Sequence, residues 1–457
     1  MFWNNGLTRS NETRLFLLAT VMLSAMILPA FPIHPSLPSL RLEEMLLFGV
    51  FGLNVLAFAR NKFRFNEQEK EQLQKQQTQL KLVFLLFGLL VASYTVSNIY
   101  GVGIRKAGYF GFRDLMELVT YFKYFLVITL TLSIDFKNEE FAFFKKVFLG
   151  GMVFLLIFSW GQHFNLGNMN TWFTPFFNQQ HWDTLIYGNP PRVLGTFDNP
   201  NYFGVFTVIV LSYLVVKYFF AAGEDKFPWL LFIFIGLVIK LEFLTISRTA
   251  LFCIALLFVI VCIWAFFYHR RSKKVLIKIL ALFLLTMVLF VTASDDFFYR
   301  LQEGLDFSES TSMQGHIERW GAAVGTIWES PILGWGTQKY VMSTTVDNEY
   351  ILVTRRYGFV GLAIYLAFFL VPFVKGIIEL RQRTKIKGKG APYDRSSVLI
   401  GAYVAVLPTI FVFCIMAGIF YNLRLMTLFA ISLGLVYNSL LHNTQQNNWP
   451  APEESEV

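Results

Sequence analysis

Charged side chains are sparse in this sequence, so the few places where they gather stand out. Asp347, Glu349, Arg355 and Arg356 lie within VDNEYILVTRRYG, just ahead of an apolar run. Carboxylates and arginines crowded at such a boundary suit binding of, or proton transfer on, a charged amphipathic substrate. Simple flanking of a membrane span is the competing reading. A second group is RVLGTFDNPN, residues 192–201. Its Asn199-Pro200-Asn201 turn can cap a helix starting near 201, and a helix amino terminus beside Arg192 is a ready anion site. An ordinary capped turn reads equally from the same letters. A third is Ser247-Arg248-Thr249, at a tight turn between two apolar runs. There Arg248 either meets a partner or snorkels to lipid phosphate.

The fourth group lies in HIERWGAAVGTIWE, residues 316–329. The spacing predicts an amphipathic helix with Ile317, Trp320, Gly321, Val324, Ile327 and Trp328 on one face and Glu318, Arg319, Thr326 and Glu329 on the other. Such a helix lies on a membrane surface with its tryptophans at headgroup level, and Arg319 then points away from lipid. The turn Pro331–Gly336 ends it. Lys240 and Glu242 interrupt an apolar run; two residues apart, they do not share a helix face and need separate inward-facing partners.

The elements that must position these groups are membrane helices. The chain is 457 residues long, 55% hydrophobic and only 15% charged, against about 25% charged in soluble domains. Apolar runs recur near 14–33, 41–59, 80–99, 115–134, 141–162, 201–221, 228–246, 249–268, 275–294, 358–378, 397–419 and 423–441. Each is long enough for a hydrocarbon core about 30 Å thick. The expected fold is therefore all-α, a polytopic bundle of about twelve spans within residues 1–442. The run 14–33 reads as an uncleaved first helix rather than a signal peptide.

Net charge is +9, and the basic residues concentrate in three stretches: Arg60–Lys81, Arg270–Lys278 and Arg381–Arg395. Placing the amino terminus inside puts all three in the cytoplasm, so the charge reports topology and not a nucleic-acid partner. The same topology puts two long loops outside, 163–200 and the large loop 295–357, the latter carrying the amphipathic helix. The stretch 66–79 reads as a solvated cytoplasmic helix and 443–457 as a disordered cytoplasmic tail. The three cysteines lie inside apolar runs and the six histidines are scattered, without disulfide or metal spacing.

In order and placement, RVLGTFDNPNYFG, then SRTA, then ERWGAAVGTIWESPILGWG leading to VDNEYILVTRRYGFVGLAIYL resemble the O-antigen ligase and polymerase superfamily, the WaaL- and Wzy-type enzymes. The resemblance covers residues 192–365 well, and the run count and large late loop extend it over the chain. It implies a GT-C-like membrane glycosyltransferase of the inner membrane that acts on the periplasmic side, takes undecaprenyl-diphosphate-linked oligosaccharide and needs neither metal nor cofactor. By matching motif, Arg192, Arg248 and Arg319 would grip the donor diphosphate, with Asn199, Asn201, Arg355 and Arg356 beside them; guanidinium forks match phosphate oxygens.

The reaction also needs a base for the attacking hydroxyl. Ligases of the family carry a histidine just before the asparagine that ends the large loop, whereas this chain has Asp347 before Asn348. That difference favours a repeat-unit polymerase over a ligase. It makes Asp347 the first candidate base and Glu349 the second, with Arg319 beside them in catalysis; a purely structural Asp347, bonding the large loop or capping the tenth run, is the alternative. The product would be O-antigen, capsule or exopolysaccharide, and the protein partners a chain-length regulator and a flippase. A ligase acting on lipid A core or protein, a transporter or flippase, and a non-catalytic scaffold remain the alternatives.

Overall fold

A computed structural model describes residues 3, 8, 10–31, 39–60, 67–177, 187, 192–221, 228–295, 297–299, 302, 311–339 and 346–446. These are helical almost throughout; strand pairing among them is confined to two isolated bridges, Phe31 with Leu40 and Ala221 with Tyr393.

Each of the twelve apolar runs coincides with a helix. These are α1 (Asn11–Ile27), α2 (Leu42–Arg60), α3 (Glu67–Asn98), α4 (Phe112–Ser133), α5 (Asn138–His163), α6 (Pro200–Phe220), α7 (Pro228–Thr245), α8 (Arg248–Tyr268), α9 (Lys273–Val291), α11 (Glu349–Lys387), α12 (Arg395–Phe413) and α13 (Leu423–Gln446). Helix α10 (Thr311–Glu329) falls on the expected amphipathic stretch. Among the described residues nine helices are long and apolar enough to cross a membrane: α3, α4, α5, α6, α8, α9, α11, α12 and α13. The protein is a multi-pass membrane protein. Residues 67–79 form one continuous helix with the apolar part of α3, which ends in a π-helical turn, Ile99–Ile104. The tail beyond residue 446 lies outside the described residues.

Helices α4, α6, α12 and α13 are the most enclosed spans, with α13 against α4 and α6 against α12. Helix α9 is nearly all outward, showing Ile277, Phe283, Val288 and Val291; in a bilayer such apolar surface meets lipid at no cost. Connections collect at two ends. At one end Tyr393 N–H bonds the Phe220 carbonyl at 2.7 Å, Tyr268 Oη the Ala391 carbonyl at 2.8 Å, and Arg395 the Lys137 carbonyl at 3.0 Å. That end carries the basic stretches around Arg270 and Arg383. The other end carries the end of α1, the start of α2, the turns 245–248 and 414–422 and the segments leading into α6 and α11.

Helix α11 is broken. Gly358 has φ +65° and ψ −174°, a conformation open to glycine alone, and a Cβ there would overlap the Ile332 carbonyl. The break frees backbone groups that lipid cannot satisfy. The turn 331–336 satisfies them: Trp335 N–H and Gly336 N–H donate to the Arg355 and Arg356 carbonyls at 3.0 and 2.8 Å, and Phe359 N–H donates to the Pro331 carbonyl at 2.7 Å. The PILGWG sequence thus ends α10 and splints α11. It also contacts α3, where Gly101 lets the Trp335 carbonyl approach so closely that any Cβ would collide. Asn98 Oδ1 accepts from Thr337 N–H at 3.1 Å.

Candidate functional site

Helix α10 presents two stripes. Ile317, Val324 and Trp328 are exposed, while Ala323 and Ile327 are buried, so the expected apolar face is split: part turns outward and part anchors the helix. The expected polar face does not wholly face solvent. His316 and Arg319, three residues apart and therefore neighbours on the helix surface, lean on the segment before α11. There Arg319 Nη2 lies 3.1 Å from Asp347 Oδ2, and His316 Nδ1 lies 3.4 Å from the same oxygen. Arg319 is held by its own helix, Nε donating to the Gly315 carbonyl at 2.9 Å.

This triad is half open. Arg319 and Asp347 keep about two-fifths of their side-chain surface, with fractional exposures of 40% and 39%, whereas His316 keeps 18%. Burial pulls the His316 imidazole below its ordinary value; Arg319 and Arg248 add to this, and Asp347 opposes it. The imidazole is thus neutral near pH 7 and able to accept a proton.

Arg248 is a charged neighbour of His316, which brings a second element to the triad. It opens α8, behind Ser247, whose Oγ accepts from the Ala250 N–H at 3.4 Å as an N-cap. The same turn holds Arg192: its Nε donates to the Thr245 carbonyl at 2.9 Å and its Nη2 to Asn201 Oδ1 at 2.9 Å. Asn199 Oδ1 accepts from Asn201 N–H at 2.8 Å and caps α6, with Pro200 at its first position. The 245–248 turn thus holds Arg192 through the Thr245 carbonyl and carries Arg248 at its end, and Arg248 is the one that neighbours the α10 triad. Tyr202 has Asp198, Glu349 and Asp347 among its charged neighbours, tying the start of α6 to the same region.

Three expected site residues stand elsewhere. Glu349 is fully buried and bound to backbone, accepting from Ile419 N–H at 2.7 Å and Phe420 N–H at 2.8 Å. It fastens the start of α11 to the turn before α13. Arg356 is bonded to Glu117 Oε2 at 3.0 Å and lies over the Tyr421 ring at 4.9 Å. Arg355 is buried beside it. The cap of α11 is Asn348, which accepts from Ile351 N–H at 3.0 Å, and not Asp347. Lys240 and Glu242 do find separate partners: Lys240 donates to the Thr292 carbonyl at 2.9 Å, and Glu242 accepts from Thr207 at 2.6 Å and Thr245 at 3.2 Å.

Two groups went unnoticed in the sequence. His316 stands among six histidines without ligand spacing, and its three-residue spacing from Arg319 is the one signal the sequence carries for it. The Glu117 network gave no signal, because its partners Lys339, Arg356 and Tyr357 are more than two hundred residues away.

The fold is that of a polytopic helical membrane protein with the Arg319–Asp347–His316 triad between the amphipathic α10 and the segment before α11. Residues 230–366 match the O-antigen ligase family, in agreement with the resemblance to the O-antigen ligase and polymerase superfamily drawn from the motifs. The match runs from α7 into α11 and takes in Arg248, Arg319, Asp347, Arg355 and Arg356, leaving Arg192 and Asn199–Asn201 outside it. No curated protein sequence matches the chain.

Proposed function

We propose that the protein is a metal-independent glycosyltransferase that polymerises oligosaccharide repeat units carried on undecaprenyl diphosphate, on the outer face of the inner membrane. The observation that carries this reading is the Arg319–Asp347–His316 triad, with Arg248 as its neighbour. A hydroxyl of the incoming unit attacks the anomeric carbon of the donor. The bond from that carbon to the diphosphate oxygen breaks, and the diphosphate leaves with the electron pair. Arg319, Arg248 and Arg192 stabilise the charge that builds on it, and donors aimed at developing charge are typically worth about 2.7–4 kcal/mol each.

The hydroxyl proton passes to the Asp347–His316 pair. A carboxylate is a weak base toward a sugar hydroxyl. The neutral imidazole 3.4 Å away is better matched to the task, with Asp347 orienting it. Glu349 and Arg356 act by shaping α11, because the Glu349 carboxylate is bonded to Ile419 and Phe420 and the Arg356 guanidinium is paired with Glu117. Charge supports the outer location: the basic stretches around Arg270 and Arg383 lie at the opposite end of the bundle, and positive residues keep loops in the cytoplasm.

Purified protein supplied with synthetic lipid-diphosphate repeat units, without added metal, should produce a ladder of glycans. Transfer of a single block to a lipid A core acceptor and never to a repeat unit would make it a ligase. Movement of the lipid without any glycosidic bond would refute the transferase reading.

A further inference from the structure

A second set of arginines lies at the same end of the bundle, on elements outside the triad. Arg424 sits in the first turn of α13 and is 3% exposed. Its Nη2 donates to the Leu28 carbonyl at the end of α1. Its Nε and Nη1, and Nη1 of Arg41 just before α2, are buried and have no hydrogen-bond partner among the described residues. A guanidinium offers five N–H donors and no acceptor. Leaving donors of a charged group buried and unmade costs more than leaving those of a neutral one.

The surroundings make these arginines harder to explain as structure alone. Arg41 is among the charged neighbours of Arg424, so two like charges face one region; Asp198 and Glu43 are the others. The local carboxylates have other bonds. Glu44 pairs with Lys123 at 2.9 Å, with Glu43 3.7 Å from the same ammonium. Glu43 Oε2 accepts from Ser24 at 3.0 Å, and Asp198 Oδ1 accepts from Asn422 Nδ2 at 3.3 Å. A cation in the first turn of a helix also opposes the helix dipole, which favours anions there. Phe177 and Phe197 lie 5.8 and 5.5 Å from the Arg424 guanidinium and fix its plane. A planar fork with free donors at a helix amino terminus is built for a phosphate.

We infer that Arg41 and Arg424 form a second anion site that holds the diphosphate of the acceptor, the lipid-linked unit whose sugar receives the glycan. The inference rests on the transferase reading. Asp198 joins the two sites in space: it is a charged neighbour of Arg424, and Tyr202 has both Asp198 and Asp347 as charged neighbours. A polymerase needs two lipid diphosphates bound together, one losing its glycan and one keeping it. The triad, with its proton acceptor, suits the leaving diphosphate; at Arg424 the neighbouring carboxylates are bonded to Ser24 and Asn422, and the site only holds.

The test uses full-length protein in lipid nanodiscs and an acceptor in which a phosphonate replaces the sugar–diphosphate bond, so that it accepts but cannot donate. Arg41→Gln and Arg424→Lys should raise the KM for this acceptor about tenfold or more, with donor KM and kcat little changed. Titration with farnesyl diphosphate should count two sites in the wild type and one in either variant. Arg41 is only half buried, so its variant carries the test if Arg424→Lys fails to assemble.

An unchanged acceptor KM, or donor and acceptor KM rising together, would overturn the inference. Inorganic pyrophosphate binding as tightly as farnesyl diphosphate would overturn its lipid part. Should Arg319 and Arg248 variants polymerise normally while Arg41→Gln still loses one titrated site, the transferase assignment of the triad fails and the anion site stands.

Discussion

Two ion clusters use the same residue types to opposite ends. One of them centres on an enclosed carboxylate, Glu117. Its carboxylate has no exposed surface, lies 3.0 Å from both Lys339 Nζ and Arg356 Nη1, and accepts from Tyr121 at 2.9 Å and from Tyr357. Around Asp347 the same kinds of group stay half in solvent, with Arg319 and His316 contacting a single oxygen. An enclosed carboxylate is closed to a substrate; the network's role is to clamp the large loop, through Lys339, to α4 and α11. An open one can exchange a partner for a ligand at little cost, because exposed ion pairs are worth only about 0–1 kcal/mol. Charge density alone therefore does not mark a site, and accessible charge density does.

That contrast can be broken by mutation. The largest effect belongs to the closed cluster. Glu117→Ala leaves the largely enclosed Arg356 without its carboxylate, and breaking a buried pair typically costs about 3–5 kcal/mol. Thermal unfolding in detergent should drop sharply, and polymer formation should fall with the amount of folded protein. If the variant melts like the wild type, the clamp is not structural.

The next effect belongs to the open cluster and should be purely functional. Arg319→Ala should leave the melting temperature almost unchanged, since surface changes usually stay within about 0.5 kcal/mol. Turnover should fall by about 10²–10³. Equal losses of stability in the Arg319 and Glu117 variants would erase the distinction.

The smallest effect is a pH shift. The His316 imidazole is depressed by burial first and by Arg319 and Arg248 second, against Asp347. Turnover should therefore be constant at neutral pH and fall on the acid side with a midpoint below the ordinary histidine value of about 6.5. Asp347→Asn removes the one opposing charge, so whatever activity remains should have its midpoint moved further down. His316→Gln should delete that limb of the profile. A midpoint that stays put in Asp347→Asn would separate His316 from the chemistry.

Much of the architecture was legible because membrane helices announce themselves: each apolar run became a helix, since backbone groups in lipid must bond within their own segment. Local caps were legible too, as at Asn199 and Ser247, because a cap needs only a polar side chain a few residues from the amide it satisfies. The amphipathic helix was placed correctly, but its faces were only partly so. Periodicity says which residues share a stripe, and packing decides which stripe turns inward.

What the sequence by itself determined is the set of helices, their caps and the segments that hold the scarce charges, all consequences of contacts within a few residues. Only the tertiary structure decided which charges meet. It took Glu349 and Arg356 out of the open region and into buried anchors. It set His316 beside Asp347 from thirty-one positions away in the chain, and it left Arg41 and Arg424 with donors unmatched. The reason is range: helix-forming forces act over one or two turns, whereas ion pairing depends on how distant helices happen to stack, which no local pattern encodes.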